Sequence, residues 1–414
     1  MMLMRLLLLV GVAGLFTSAG YLVLVMLAAL RFSRASGHPA DDQSAFPPVT
    51  LFKPLCGLEP ALEANLTSFF EQRYPCFEII FGARYDDDPA LDIVRRISAR
   101  YPAVPVEIVV SGEPSRSNAK VCSLVKMLPR ASFDYFIISD SDVKVHPGYI
   151  AEVVTPLLDR RNGMVTCLYR GLPTGGLWSK LEALGMSVEM TSGAIVANLM
   201  EGMKFALGPT MAIRRDTLQV LGGFESLADF CADDYVLGQE VARNGWQVVM
   251  SKHIIDHVVI NPSFSGSMRH QVRWMKSTRF SRHAGHAGTG LTFAMPFGLL
   301  ALLAAGTLQH WALGTALLAA AYVNRVALSV VSGWGVVRDR RALRTAWLYP
   351  LRDLMGFGFW CASYFGRCIV WRDDIYRLEA GGRMVLTPPA MATVARTLAD
   401  ARAETTTVTA ERYS

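Results

Sequence analysis

Hydrophobic and polar positions fall into three regimes along the chain. From Leu6 to Leu30 no charged residue interrupts an apolar run, which as a helix is long enough to cross the roughly 30 Å of a bilayer's hydrocarbon core. A secretory signal has an apolar stretch of only ~7–15 residues closed by a small-residue cleavage site, and neither holds here, so residues 1–34 are expected to remain as a transmembrane anchor. Residues 47–283 instead alternate short buried-strand patterns with amphipathic ones. Val49–Lys53, Phe77–Ala83, Val106–Val110 and Tyr135–Ser139 are apolar, β-branched or aromatic, and Ala61–Gln72, Ala90–Tyr101 and Ala119–Leu128 between them have helical character. This βαβαβ order predicts an α/β domain with a mostly parallel, Rossmann-like sheet whose ligands sit at the carboxyl ends of the strands. Residues 291–337 are apolar again, broken near Gln309–His310, and predict a transmembrane helical hairpin with a very short outer turn. A third apolar segment, 346–372, contains or adjoins Arg352, Asp353, Arg367 and Arg372 and fits a spanning, re-entrant or interfacial segment. The Thr-, Ala- and charge-rich residues 389–414 have no periodicity and are expected to form a mobile tail.

Composition supports the membrane reading: 51% of residues are hydrophobic and 18% charged, too apolar for an ordinary soluble protein. Arg31 and Arg34 follow the anchor, Arg269, Arg273, Lys276, Arg279 and Arg282 precede the hairpin, and Arg338, Arg340, Arg341 and Arg344 follow it. The positive-inside rule therefore places residues 31–282 in the cytoplasm and the N-terminus outside, which in a bacterium means the inner (plasma) membrane. These juxtamembrane arginines account for the net charge of +6, and no basic stripe interleaved with aromatics suggests nucleic acid. Arg325, within the hairpin, is the exception to its low charge; an intramembrane arginine is costly and functional by default, the alternative being that it only pairs with a lipid headgroup. The seven cysteines show no CxxC spacing and read as reduced thiols.

Candidate chemistry lies where strands end. Tyr135–Ser139 runs into Asp140-Ser141-Asp142, an Asp-x-Asp pair that directs two carboxylates into the crevice, where a divalent cation would relieve their repulsion. Mg²⁺ and Mn²⁺ favour such oxygen ligands and are often completed by substrate phosphates. Asp86-Asp87-Asp88 fits either a solvated turn with a helix cap or a ligand contact. Asp233-Asp234 precedes the helical stretch Val236–Arg243, so each is either an N-cap or a general base. His270-Gln271-Val272-Arg273-Trp274 fits either a membrane-interface anchor or a site motif. Leu177 to Met203, rich in Met (Met186, Met190, Met200, Met203), is either core or a lipid-facing groove.

The ordered set resembles the ceramide glucosyltransferase family and its bacterial relatives, the hopanoid-associated glycosyltransferases, both inverting enzymes of the GT-A fold. It runs from Phe52-Lys53-Pro54-Leu55-x-Gly57-x-Glu59-Pro60 through Asp87-Asp88-Pro89-Ala90, Asn118-x-Lys120-Val121, Asp140-Ser141-Asp142, Thr166–Gly171 and Gly175–Ser179 to Asp233-Asp234-Tyr235 and Arg273-Trp274. The resemblance implies a donor site at Pro54, Asp88 (to the uridine), Lys120 and Asp140, a metal on Asp140 and Asp142, a base at Asp234, and Arg273 with Trp274 beside diphosphate and acceptor. His270 departs from the pattern, standing where the family usually has Gln or Arg; it can still donate to a phosphate.

The expectation is transfer from a UDP-sugar, UDP-glucose favoured, to a membrane lipid hydroxyl with inversion, the acceptor being ceramide. The alternative is N-acetylglucosamine transfer from its UDP-sugar to a hopanoid polyol. From a different class, a non-catalytic membrane scaffold predicts gaps in the acidic set, and none occurs at Asp88, Asp140, Asp142 or Asp234. A transporter or a processive polysaccharide synthase would need more spans.

Overall fold

The computed structural model describes residues 1–34, 46–261, 263–371 and 374–387; Arg372 and the segment 389–414 lie outside them. Strands β1 (Val49–Pro54), β2 (Phe77–Ala83), β3 (Val106–Val110), β4 (Tyr135–Ser139), β5 (Val143–Lys144), β6 (Asn162–Pro173), β7 (Thr210–Arg214) and β8 (Gln247–Val259) form one sheet in the order β3-β2-β1-β4-β7-β6-β8-β5. The β3-β2-β1-β4 half is parallel; β7 runs antiparallel between β4 and β6, and β6 and β8 are parallel. Alternation along each strand splits the core in two. Leu51, Ile79, Phe81 and Ile137 meet the helices Leu62–Phe70 and Pro89–Arg100 on one face, whereas Phe52, Ile80, Phe136 and Ile138 meet Ala119–Met127 and Asp233–Arg243 on the other. With both faces covered, these strands read as continuous apolar runs, and the expected α/β sheet is found.

The N-terminal helix, Met2–Arg34, is 33 residues long, about 50 Å at helical rise, and exposes Leu6, Leu9, Phe16, Val23 and Leu27 along its length. Small residues let its partners approach. A Cβ on Gly14 would lie 2.2 Å from the Phe297 ring, and one on Gly11 3.0 Å from Ala301. Trp311–Ser329 continues through a π-helical turn, Val330–Val336, as one long apolar helix, so two of the described helices are long and apolar enough to cross a membrane. The other arm of the expected hairpin, Met295–Thr307, has 13 residues, about 20 Å, and falls short of the hydrocarbon core. It starts late because Asp353 Oδ2 accepts the backbone N–H groups of Ala294 and Met295 (3.0 and 2.9 Å), fixing the first turn there.

Arg325 corrects the headgroup reading. It is 1% exposed and is held by Asp353 Oδ1 (3.1 Å), Ser18 Oγ (2.8 Å), Asn324 Oδ1 and the Thr292 carbonyl (3.0 Å), so the anchor, the hairpin and the next helix share one buried ion pair. In the third apolar segment, the helix Tyr349–Ser363 (15 residues, about 22 Å) carries Arg352 and Asp353 on its buried side. The chain then enters a small antiparallel sheet of β9 (Cys368–Trp371), β10 (Asp374–Leu378) and β11 (Met384–Leu386). This sheet clasps the loop before Asp233, with Cys231 N bonded to Gly382 O (3.0 Å) and Met384 N to Asp229 O (2.7 Å). The long N-terminal helix and the α/β part also touch directly: Tyr21 Oη donates to Ser192 Oγ (3.0 Å), and the Lys252 ammonium lies 4.0 Å from the Phe32 ring centroid.

Candidate active site

The carboxyl ends of β1 and β4 open onto a cluster of charges. Lys53, on β1, is fully buried; its ammonium donates to the Asp140 carbonyl (2.5 Å) and lies 3.7 Å from the Phe69 ring centroid. Burial lowers it to about 7, against the pull of Asp140 and Asp142. Pro54 follows and ends the strand, paired in register with Gly82. Just past β4, Asp140 Oδ1 is 2.6 Å from Lys120 Nζ, and the same ammonium is 3.8 Å from Asp233 Oδ2. Burial opposes the Lys120 charge, but Asp140 and Asp233 more than offset this and hold it above the ordinary lysine range. Asn118 caps the lysine's helix through the Val121 N–H and donates to Asp233 Oδ1 (3.3 Å), joining the two segments.

Asp142 has Oδ2 3.4 Å from His257 Nε2 and Oδ1 buried without a partner. Burial raises its carboxyl; His257 lowers and Asp140 further raises it. Glu59 accepts from Ser141 Oγ (2.7 Å), and its carboxyl is raised by burial and then by Asp142. Such crowding of carboxylates, with an orphaned oxygen on Asp142, suits a divalent cation. Among the described residues no three His, Cys, Asp or Glu side chains are grouped closely enough to hold one alone. The donor set therefore fits a metal bound by one or two carboxylates and completed by phosphate oxygens.

Asp233 and Asp234 begin the helix Asp233–Arg243, but its N-cap is Ala232, which offers no side-chain acceptor. Neither aspartate is the cap that its position in the sequence allowed; both lie inside the first turn. Asp233 turns to Asn118 and Lys120. Asp234 accepts the Tyr235 N–H (2.8 Å), and burial, then the neighbouring Asp233, raise it to about 6. Gly208 makes room for it, since a Cβ there would lie 3.0 Å from Asp234 Oδ2.

Asp88 is the N-cap of Pro89–Arg100: its carboxylate accepts from Ala90 N (2.9 Å) and from Gly57 N (3.1 and 3.0 Å). It thus ties the turn after β1 to the turn after β2, and most of its acceptor capacity is used within the protein. Arg273, Trp274 and His270 lie on the helix Phe264–Ser281, and no hydrogen bond or ion pair among the described residues joins them to Asp140 or Asp142. The two halves meet at Cys231, whose thiol is pushed up by burial and feels both Arg273 and the Asp233–Asp234 pair. His270 Nδ1 is bonded to Glu182 Oε1 (2.7 Å), so that nitrogen is turned away from any phosphate. Of the Met-rich segment, Met186 and Met203 are core, while Met190 and Met200 are exposed. Sequence reading singled out neither Lys53, as a buried amine, nor Glu59, His257 or Glu182. Glu59 and Lys53 flank Pro54 within a recognised motif, which was a usable signal; His257 and Glu182 carried none. None of the seven cysteines is joined to another.

The profile of glycosyl transferase family 21 matches residues 12–384. Ceramide glucosyltransferase 1 of Caenorhabditis elegans is 26% identical over 217 residues, 52% of this chain and 46% of that protein. Ceramide glucosyltransferase 3 of the same organism is 23% identical over 270 residues, 65% of this chain and 58% of that protein. The chain thus spans about half the length of the curated relatives it matches. Among solved structures, a mannosyltransferase from Pyrobaculum calidifontis, in complex with GDP-Man and Mn²⁺, covers 85% of this chain and 98% of its own at 19% identity and a TM-score of 0.50, a likeness of fold. A GT-A type α/β sheet and a family match reaching from the anchor helix to β11 lead to one assignment: the chain belongs to glycosyl transferase family 21.

Proposed function

We propose that this chain transfers a sugar, glucose first among candidates, from its UDP-sugar to a hydroxyl of a membrane lipid such as ceramide, with inversion, at the cytoplasmic face of the membrane. The observation that carries the reading is Asp234: a half-buried carboxylate in the first turn of a helix, raised to about 6 by desolvation and by Asp233, beside a Lys120–Asp140–Asp233 cluster at the strand ends. A base of that strength is largely ionised at neutral pH and still basic enough to take a proton. Asp234 removes the proton of the attacking hydroxyl as the new bond to the anomeric carbon forms on the face opposite the departing diphosphate, which leaves with the electron pair of the old bond. Lys120 neutralises Asp140 and Asp233 so that Asp234 faces the acceptor as the uncompensated charge. Arg273 offers a guanidinium to the diphosphate, and Asp88 holds the turns after β1 and β2, over which the uridine would lie. Asp140 and Asp142 would hold Mg²⁺ or Mn²⁺, which when bound neutralises charge on the diphosphate.

The membrane reading rests on the exposed apolar face of Met2–Arg34 and on arginines flanking the spans; in a bacterium this is the inner membrane. Purified protein in lipid nanodiscs, given radiolabelled UDP-glucose, UDP-galactose, UDP-glucuronic acid or UDP-N-acetylglucosamine with ceramide or a hopanoid polyol, tests it. A labelled glucosylceramide of β configuration is expected. Labelled hopanoid from UDP-N-acetylglucosamine would replace the substrate pair; α product would overturn inversion, and no labelled lipid from any pair would overturn the function.

A further inference from the structure

The helix Leu177–Gly185 carries a carboxylate, Glu182, that is 1% exposed and accepts from three sides. Asn261 Nδ2 donates to both of its oxygens (2.8 and 2.8 Å), Ser267 Oγ donates to Oε2 (2.6 Å), and His270 Nδ1 contacts Oε1 (2.7 Å). Although burial works against its charge, His270, Ser267 and Asn261 together hold Glu182 below the ordinary glutamate range. An ionised carboxylate can only accept, so at 2.7 Å the imidazole nitrogen facing it must carry a hydrogen, and the longer 3.2 Å approach of Asn261 Nδ2 to that nitrogen is then a contact between two donors that both serve Glu182. The opposite edge of the ring then faces elsewhere. His270 lines a cavity of about 270 Å³ with Arg269, Arg273, Val370 and Trp371, and the Arg273 guanidinium lies 5.4 Å from the Trp371 ring centroid. Trp274 packs on the other side of the imidazole, ring centroids 4.3 Å apart, which restricts its rotation.

We propose that Glu182 is a positioning residue: it fixes His270 with hydrogen on Nδ1 and so aims Nε2 into this cavity at a hydroxyl of a substrate bound beside the stacked Arg273–Trp371 pair. This deepens the glycosyltransferase reading and rests on it for the identity of the substrate. A hydroxyl suits the place because, with hydrogen on Nδ1, the neutral imidazole offers only an acceptor at Nε2, to which a hydroxyl donates, and the apolar indole of Trp371 lines the same cavity. The same arrangement gives a reason for His at this position. A Gln or Arg reaches a ligand on its own flexible stem, whereas an imidazole needs its second nitrogen anchored before the first is aimed. Glu182 supplies that anchor from a different helix.

The test is a double-mutant cycle on the full-length protein in nanodiscs, with KM for the nucleotide sugar and for the lipid measured separately. Glu182→Gln can donate an amide hydrogen to Nδ1 and so permits the other tautomer. It should raise one of the two KM values by about 10-fold, the loss of one hydrogen bond, and the KM that moves identifies whether sugar or lipid carries the hydroxyl. In the His270→Gln background the same substitution should change that KM by less than about 2-fold. Equal losses in both backgrounds would make Glu182 a packing residue and overturn the proposal. ¹⁵N spectra of histidine-labelled protein, with the His270 signal identified by its absence in His270→Gln, supply a readout independent of turnover. Nδ1 should show the protonated signature in the native protein and lose it in Glu182→Gln. An unprotonated Nδ1 in the native protein overturns the proposal even if transfer is normal. If no donor supports transfer, this signature still decides the role of Glu182, while the failure falls on the proposed function.

Discussion

Replacing Asp353 by Asn removes one charge from the most buried ion pair and leaves its shape intact. Arg325 and Asp353 are each 2% exposed at the side chain and 3.1 Å apart. The Asn side-chain oxygen can still accept the Ala294 and Met295 N–H groups that Asp353 Oδ2 holds at 3.0 and 2.9 Å, so the start of Met295–Thr307 survives. What is lost is the countercharge. Breaking a buried pair from one side costs about 3–5 kcal/mol, and because Ser18, Asn324 and the Thr292 carbonyl still solvate the guanidinium, the low end, about 3 kcal/mol, is expected. Arg325→Met combined with Asp353→Asn removes both charges and keeps the cap, so most of the loss, about 2 kcal/mol or more, should return. The assay is the unfolding midpoint of native, single and double variants in the same nanodiscs, followed by tryptophan fluorescence. The reasoning fails if Asp353→Asn unfolds with the native protein, or if the double variant is no more stable than the single one.

Chelation of divalent cations should abolish transfer, and added Mg²⁺ or Mn²⁺ restore it; full turnover in excess EDTA refutes the role given to Asp140 and Asp142. Cys56 and Cys76 are exposed on the α/β domain and should resist an impermeant thiol reagent applied to intact cells but react after lysis; labelling from outside reverses the topology. Transfer requires ionised Asp234, so kcat should fall as pH drops through about 6. Asp233 helps to raise that value, and Asp233→Asn should therefore move the acid limb to lower pH; an unmoved limb or a shift upward contradicts the coupling.

The parallel half of the sheet was legible because β1, β2 and β4 are largely buried on both faces, and a run such as Phe77–Ala83 announces itself without regard to its partners; the edge strand β3, only partly buried, is still β-branched and apolar. The strands β6 to β8 were not read: β6 enters as Asn162-Gly163 and joins β7 in an antiparallel pairing that no local pattern specifies. Long-range pairing also explains the polar surprises. Arg325 looks like a costly isolated charge until Asp353, far along the chain, is brought beside it, and Glu182 looks like a helix-surface residue until Asn261, Ser267 and His270 close over it. The Asp pair after β4 and the Asp pair opening Asp233–Arg243 were visible as motifs. Which member of each faces Lys120 was not, because that depends on the helix Ala119–Met127 packing between them. The cap was not legible either: local preference points to Asp233 or Asp234, whereas the cap is Ala232, which follows a loop bonded to Gly382 and Met384 far along the chain.

The central claim is that Asp234 takes the proton of the lipid hydroxyl, and Asp234→Asn isolates it. The substitution keeps the size of the side chain and its acceptor for the Tyr235 N–H, but not the capacity to take a proton. Measured in nanodiscs with saturating donor and acceptor, kcat should fall by at least ~10²-fold while UDP affinity in the presence of metal stays near native, since the residues proposed to hold nucleotide and metal, Asp88, Asp140 and Asp142, follow β2 and β4 rather than opening the helix Asp233–Arg243. Turnover of Asp234→Asn within a few-fold of native would contradict the account and place the base elsewhere.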